Sequence, residues 1–209
     1  MIKRWKYSRT PHLPWSPGIT NDDQIIQSID FFIGKKVVIT EKMDGENTSM
    51  YRDYIHARSI ESSSHPSRDW VKNFWNSLRY DIPEEMRICG ENMFAEHSIH
   101  YSNLRSYFLG FSIWTNEICL SWKETKELFS ILNIESVPII YEGIYDQHII
   151  DNLTSTMDFT KHEGYVIRLE DSFLYDDFNI SVAKFVRSNH VTTDKHWSSK
   201  KIIPNDLLV

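Results

Sequence analysis

Lys36-Val37-Val38-Ile39-Thr40-Glu41-Lys42-Met43-Asp44-Gly45-Glu46-Asn47-Thr48-Ser49-Met50-Tyr51 is the stretch on which the fold turns. Its first half is β-branched and reads as a strand over residues 36–40. Asp44-Gly45-Glu46-Asn47 has the composition of a tight turn, and residues 48–51 and 54–58 resume as strands. The expectation is an antiparallel meander with one lysine, Lys42, placed where the first strand meets the turn.

Upstream lies a proline-rich opening, residues 11–18, followed by Ile25, Ile29, Phe32 and Ile33 at helical spacing. Asn21 as cap, Asp22 and Asp23 at the positive end and Gly34 as terminator predict a helix there. Downstream, a serine-rich loop at 61–67 leads to a helix carrying Trp70, Phe74 and Leu78 on one face. Residues 86–94 and 107–114 read as strands, and Ser121-Trp122-Lys123-Glu124 is a capping box opening a helix to about Leu132. Residues 164–169 and 180–186 have strand alternation. Strands and helices alternate irregularly, without repeat or linker, which predicts an α+β fold with antiparallel sheets and flanking helices.

The chain has 209 residues, 41% of them hydrophobic and 13% aromatic, enough for one packed core. No run approaches the roughly 18 apolar residues of a membrane span, and the polar start lacks the features of a signal peptide, so the expectation is a cytoplasmic protein without membrane contact. Cys89 and Cys119 lie in separate apolar segments without C-x-x-C spacing and read as buried thiols. The net charge of −6 disfavours a nonspecific polyanion binder. Basic residues nonetheless gather at the two ends: Lys3, Arg4, Lys6 and Arg9, then Lys184, Arg187, Lys195, Lys200 and Lys201. His97 and His100 lack the helical i, i+4 spacing of a zinc site, and no Walker-type glycine loop occurs.

Glu41-Lys42-Met43-Asp44-Gly45 is followed in order by Arg58, by Cys89-Gly90-Glu91-Asn92, by Phe108-Leu109-Gly110-Phe111-Ser112-Ile113-Trp114, by Glu163-Gly164-Tyr165-Val166-Ile167-Arg168, and by Val182-Ala183-Lys184-Phe185. This set resembles the ordered motifs of the covalent nucleotidyltransferases, the superfamily of ATP-dependent DNA and RNA ligases and mRNA capping enzymes. The resemblance covers residues 35–187 and is nearest to the RNA ligase branch, which the opening His12-Leu13-Pro14-Trp15-Ser16-Pro17-Gly18 and the closing residues 190–197 also resemble.

The resemblance implies a nucleotidyltransferase (ligase adenylation) domain that uses ATP with Mg2+ or Mn2+. Lys42 would become a lysyl-adenylate, AMP would pass to a 5′-phosphate, and a 3′-hydroxyl would displace it, an RNA repair reaction. Glu163 and Lys184 would join Lys42 in catalysis. Glu41, Asp44, Gly45, Arg58, Glu91, Phe111 and Lys184 would surround the nucleotide. Glu91 would bond a ribose hydroxyl, and Glu163 and Glu91 offer hard oxygen ligands to the metal. The adenine would stack on Phe111 or Phe108. Chemically, an amine of pKa near 10.4 must lose its proton before attacking phosphorus, and clustered cations would promote that and neutralise the departing pyrophosphate.

Arg187, His190, Lys195, Lys200 and Lys201 are the candidate nucleic-acid contacts, with His190, His196 and Trp197 available for stacking. RNA ends are the implied partner, in nicked or bridged duplex or as single strands; oligomeric state stays open. Two positions depart from the family: Ser112 where relatives often carry Asp, and Val186 where a second lysine is expected, with Arg187 one residue on. The segment beyond Arg187 is too short for the appended oligonucleotide-binding barrel, so residues 1–209 are expected to form a single adenylation domain. The alternatives are a minimal DNA ligase, a GTP-using capping enzyme, and a binding module of the same fold that has lost catalysis.

Overall fold

A computed structural model describes residues 3–188 and 201–208. Two antiparallel sheets face each other. One contains β1 (Lys36–Lys42), β7 (Ile139–Ile144), β8 (Gly164–Leu169) and β10 (Val182–Val186), in the order β10-β8-β1-β7. The other contains β2 (Glu46–Met50), β3 (Ile55–Ala57), β4 (Met86–Asn92), β5 (Phe108–Thr115), β6 (Ile118–Cys119) and β9 (Phe173–Leu174), in the order β3-β2-β4-β5-β6-β9. The helices are α1 (Asp69–Leu78), α2 (Trp122–Ile131), α3 (Gln147–Thr156) and the single turn α4 (Phe178–Ser181). The α+β class and the antiparallel sheets are as the sequence implies.

The expected meander is not. β1 does not pair with β2; it pairs with β7 on one side and β8 on the other, while β2 pairs with β3 and β4. Residues 43–45 therefore carry the chain from one sheet to the other. Gly45 permits this close passage: a Cβ there would lie 2.6 Å from the Asn92 carbonyl oxygen and 2.6 Å from the Met93 sulfur.

One face of the four-stranded sheet is covered by an apolar core over β1, β8 and β10, whereas edge strand β7 leaves Ile139, Ile140 and Ile144 exposed. Val37 and Ile39 of β1, Tyr165 and Ile167 of β8 and Ala183 and Phe185 of β10 join Leu13, Ile26 and Phe32 in one core. Thr40, Val166 and Lys184, paired across the same three strands, turn the other way. The six-stranded sheet packs its far face on α1 and α2 through Val71, Trp75, Leu78, Ile88, Ile113 and Phe129. Ser121 and Glu124 form the capping box foreseen at the start of α2. Cys89 and Cys119 are free and buried.

The helix expected over residues 21–33 is reduced to one 3-10 turn, Ile29–Phe31. Its backbone is claimed elsewhere: His12 N–H donates to the Gln24 carbonyl (2.7 Å), and Ile26 N–H donates to the His12 carbonyl (2.9 Å). The Asp23 carboxylate accepts from the Thr20 hydroxyl (2.8 Å), closing a local turn that competes with helix. The strand expected from residue 180 begins at Val182, because residues 178–181 form α4. β7 and α3 were not among the elements read from the sequence, although Ile139, Ile140 and Tyr141 favour a strand and Asp146 caps α3.

At the other end, residues 203–208 return to the body. Asn205 is buried; its Oδ1 accepts from Tyr101 N–H (2.8 Å) and its Nδ2 donates to the Met93 carbonyl (2.7 Å). Leu104 N–H donates to the Asp206 carbonyl (3.0 Å), and His100 lies 2.9 Å from both Glu96 and Asp206. Among the described residues no helix is long and apolar enough to cross a membrane.

Candidate active site

A cleft of about 700 Å³ opens between the two sheets, lined by Thr40, Lys42, Val166, Arg168, Val182 and Lys184 from one and by Glu46, Ala57, Glu91, Phe111 and Ser112 from the other. Register sets its chemistry. Lys42 pairs with Gly164 and Gly164 with Val186; Thr40 pairs with Val166 and Val166 with Lys184. Residues two apart share a face, so Lys42 and Lys184 look into the same space from alternate strands. Gly164 lets β10 close up: a Cβ on it would lie 1.9 Å from the Phe185 carbonyl oxygen.

Lys42 Nζ donates to Glu163 Oε2 at 2.5 Å, with side chains 22% and 6% exposed. Burial alone would lower the Lys42 pKa, but the charges of Glu163, Glu91 and Asp44 outweigh it and hold the amine above its ordinary value. Lys42 therefore rests as an ammonium, contrary to the expectation that neighbouring cations hold it deprotonated. Glu163 is pushed up by burial despite the lysine beside it, so it is a carboxylate ready to take a proton. Lys184 is lowered to about 8, first by burial and then by the charge of Lys42. Its nearest acid is Asp23 at 3.8 Å. Asp23, read from the sequence as a helix-start residue, is thus part of the site.

Glu91, on β4, is pushed up to about 8 by burial, with Lys42 opposing and Glu163 reinforcing. A folded pKa above the unfolded one means that this group's stabilisation is fully present below the unfolded pKa, near 4.5, and is lost as pH rises through about 8. Glu91→Gln, which cannot ionise, should therefore flatten the fall in melting temperature between pH 5 and pH 8 and melt no lower than the parent at pH 8. A steeper fall in thermal melts of the variant would contradict the buried-acid assignment.

The remaining expected residues divide. Glu41 lines the cleft and lies 2.8 Å from His162 Nδ1. Arg58 lines it too, its pKa lowered by burial and by nearby Arg9. Phe111 borders the cleft, whereas Phe108 is fully buried against α1 and cannot stack on a ligand. Asp44 turns to the neighbouring loop, accepting from Ser98 N–H (2.7 Å) and Ser98 Oγ (2.6 Å), so it shapes the support behind Lys42 and not the cleft wall. Ser112 is buried and accepts from Trp114 Nε1 (3.1 Å).

Val186 is buried at 1% exposure, and Arg187, which is not part of the cleft lining, donates to Ser98 Oγ (3.1 Å); it does not stand in for a second cleft lysine. Lys201 is exposed. His190, Lys195, His196, Trp197 and Lys200 lie outside the described residues. Of the N-terminal cations, Arg4 pairs with Asp53 (2.5 Å) and Lys3 lies over the Trp5 ring (3.5 Å), while Lys3, Lys6 and Arg9 are exposed.

Sequence reading also missed Glu46 and Arg68, which face each other across the cleft wall in a bidentate pair (2.7 and 2.5 Å). It missed as well the buried Arg168, which donates to the Leu120 carbonyl (2.8 Å) and ties the two sheets together. An arginine ending an apolar strand was the available signal for the latter.

No group of three His, Cys, Asp or Glu side chains among the described residues is arranged to hold a metal ion unaided. Glu91 and Glu163 supply two hard oxygen donors, so a bound cation would need phosphate oxygens and water to complete its shell, the usual condition for Mg2+.

The family model described as RNA ligase matches residues 35–186. Among curated proteins no sequence matches. Solved structures that match include a mutant of Naegleria gruberi RNA ligase with ATP and Mn (19% identity, TM-score 0.51, covering 78% of this chain and 52% of that one). A putative ATP-dependent DNA ligase from Aquifex aeolicus matches at 16% identity and TM-score 0.55, covering 88% and 50%. An archaeal ATP-dependent RNA ligase matches at 18% identity and TM-score 0.51, covering 78% and 45%. The chain spans about half the length of these structures, and at these identities the likeness is one of fold.

Proposed function

The chain belongs to the RNA ligase family, and from that premise we propose that it is an ATP-dependent RNA ligase that joins 3′-hydroxyl and 5′-phosphate ends through an AMP carried on Lys42. The observation that supports this most directly is the contact of Lys42 with Glu163 at 2.5 Å in a cleft that also holds Glu91 and Lys184. An ammonium bonded to a buried carboxylate of raised pKa has an acceptor for its proton in place. Once the proton moves to Glu163, the Lys42 amine can attack the α-phosphorus of ATP, forming an N–P bond as the bond to pyrophosphate breaks. Lys184 and Arg58 neutralise charge gathering on the phosphates. Phe111 offers a face for adenine, and Glu91, protonated or not, can bond a ribose hydroxyl. Mg2+ or Mn2+, held between Glu91, Glu163 and the phosphates, would supply further charge neutralisation.

Strand contacts are assigned to Arg187, His190, Lys195, Lys200 and Lys201, and the described part of the chain is read as a single adenylation domain. The fold match with a DNA ligase makes a minimal DNA ligase the second reading. Incubation with α-labelled ATP or GTP and a divalent metal, followed by denaturing electrophoresis, tests the nucleotide: label from ATP is expected, and label from GTP only would contradict the reading. Sealing of nicked duplexes should favour RNA on the 3′-hydroxyl side, where the 2′-hydroxyl can be sensed. Equal sealing of all-DNA nicks would establish the second reading instead.

A further inference from the structure

Residues 5–13 form a strap across the cleft and have no role in the mechanism above. At one end the strap is fixed to the six-stranded sheet. Trp5 N–H donates to the Tyr51 hydroxyl (2.9 Å), Arg87 Nη1 donates to the Trp5 carbonyl (2.8 Å), and the Tyr175 hydroxyl donates to the Lys6 carbonyl (2.7 Å). At the other end it runs beside β10 of the four-stranded sheet: Lys184 N–H donates to the Pro11 carbonyl (2.9 Å) and Leu13 N–H to the Lys184 carbonyl (2.8 Å). Between these anchors Tyr7, Ser8, Arg9 and Thr10 line the cleft.

Tyr7 packs on the aromatic side chains of the cleft. Its ring meets Phe111 edge-on at 5.2 Å between centroids and Phe178 at 5.4 Å, and burial raises its hydroxyl well above the ordinary tyrosine value, keeping it neutral. Edge-to-face packing fixes the plane of both rings, so Tyr7 determines which face Phe111 turns to the cleft and how far the open space beside it extends. The strap has anchors besides this ring: its backbone bonds the side chains of Tyr51, Arg87 and Tyr175 at one end and the main chain of Lys184 at the other. A large aromatic side chain directed into the cleft from an independently anchored segment is therefore best placed to contact what the cleft binds.

We propose that Tyr7 is a base-contacting residue of the nucleotide site, its ring closing one end of the slot whose face is Phe111. The inference rests on the nucleotide reading given above. With the end wall in place a purine of the wrong edge chemistry cannot slide to find another register; without it the slot is longer and less selective. Lys184 and Arg58 also line the cleft and keep their side chains in these variants, so binding should suffer and turnover at saturation should not.

The test is the initial rate of label transfer to the protein from α-labelled ATP and α-labelled GTP, measured for the parent, Tyr7→Ala, Tyr7→Leu and Tyr7→Phe, with thermal melts of each. Tyr7→Ala and Tyr7→Leu should raise KM for ATP about tenfold, keep kcat within about threefold and lower the ATP-to-GTP ratio of kcat/KM by about tenfold, and Tyr7→Phe should restore parental behaviour. The leucine variant preserves bulk should alanine fail to fold. Unchanged KM and ratio in a folded alanine or leucine variant overturns the proposal, as does loss confined to kcat, or a phenylalanine variant as impaired as alanine. Absence of label on the parent from either nucleotide overturns the nucleotide reading itself and this proposal with it.

Discussion

Lys42→Ala and Lys42→Arg should both leave the protein without detectable covalent nucleotide after incubation with α-labelled ATP and metal, whereas the parent carries an acid-labile adduct. The two variants fail for different reasons. Alanine removes the amine and leaves the buried Glu163 without its partner at 2.5 Å. That acid, already pushed up by burial, can take a proton instead of remaining an uncompensated charge, so the fold should survive with a modest drop in melting temperature. Arginine keeps both the charge and the ion pair, but a guanidinium cannot be deprotonated in a protein and cannot attack phosphorus. A parental melting curve together with zero label for Lys42→Arg separates chemistry from stability. Label of parental strength on either variant would place the nucleophile elsewhere.

The second large effect concerns Glu163 and Lys184, the two groups nearest the proposed nucleophile Lys42. Glu163→Ala and Lys184→Ala should each lower the rate of adenylation by about 10²-fold or more, corresponding to about 3 kcal/mol of transition-state stabilisation. Their pH signatures should differ. Lys42 holds its proton above the ordinary lysine value, so kcat/KM for label transfer should rise with pH as that proton becomes easier to remove. Lys184 titrates at about 8 in the free protein, and its charge is lost as pH rises through that value, so the profile should turn over there and fall. Lys184→Arg retains charge throughout; whatever activity it keeps should lack the falling limb. A profile for Lys184→Arg with the same turnover near pH 8 would detach that limb from Lys184. Unfolding of Glu163→Ala in a thermal melt would assign the glutamate to architecture instead.

How much of this was legible in advance depends on whether the signal was local. Lys42, Glu91, Glu163 and Lys184 were readable because each sits in a short segment of distinctive chemistry on or beside a strand; register within the four-stranded sheet aligns Lys42 with Lys184, Glu163 immediately precedes β8, and Glu91 comes from β4 of the other sheet across the cleft. β1, β4, β5 and β8 announced themselves through β-branched and apolar runs. The crossing of residues 43–45 from one sheet to the other was not readable, because a D-G turn has the same composition whether it closes a hairpin or passes between sheets. Residues 21–33 have a helical spacing of Ile25, Ile29, Phe32 and Ile33, yet Ile25 and Ile33 are exposed and the backbone bonds go to His12. Partners distant in sequence overrode the local pattern. The same holds for Asp23, which looked like a helix-start acid and lies beside Lys184, and for Phe108 and Phe111, which a strand's alternation cannot assign to core or cleft until the covering helix is known.

The strand order β10-β8-β1-β7 also bears on how the protein comes into being. The six-stranded sheet draws all its strands but β9 from residues 46–119, and a nascent chain can assemble most of it early. β1 has no such partners: every strand that flanks it or completes its sheet comes from residues 139–186. During synthesis and refolding, Val37, Val38 and Ile39 thus form an apolar strand with two open edges, waiting on segments about a hundred residues away. Pairings of such sequence separation close slowly, and an unpaired apolar strand is a template for intermolecular association. β1 is for that reason the segment most exposed to aggregation before folding ends, and slow dilution at low protein concentration should recover more folded protein from denaturant than rapid dilution at high concentration.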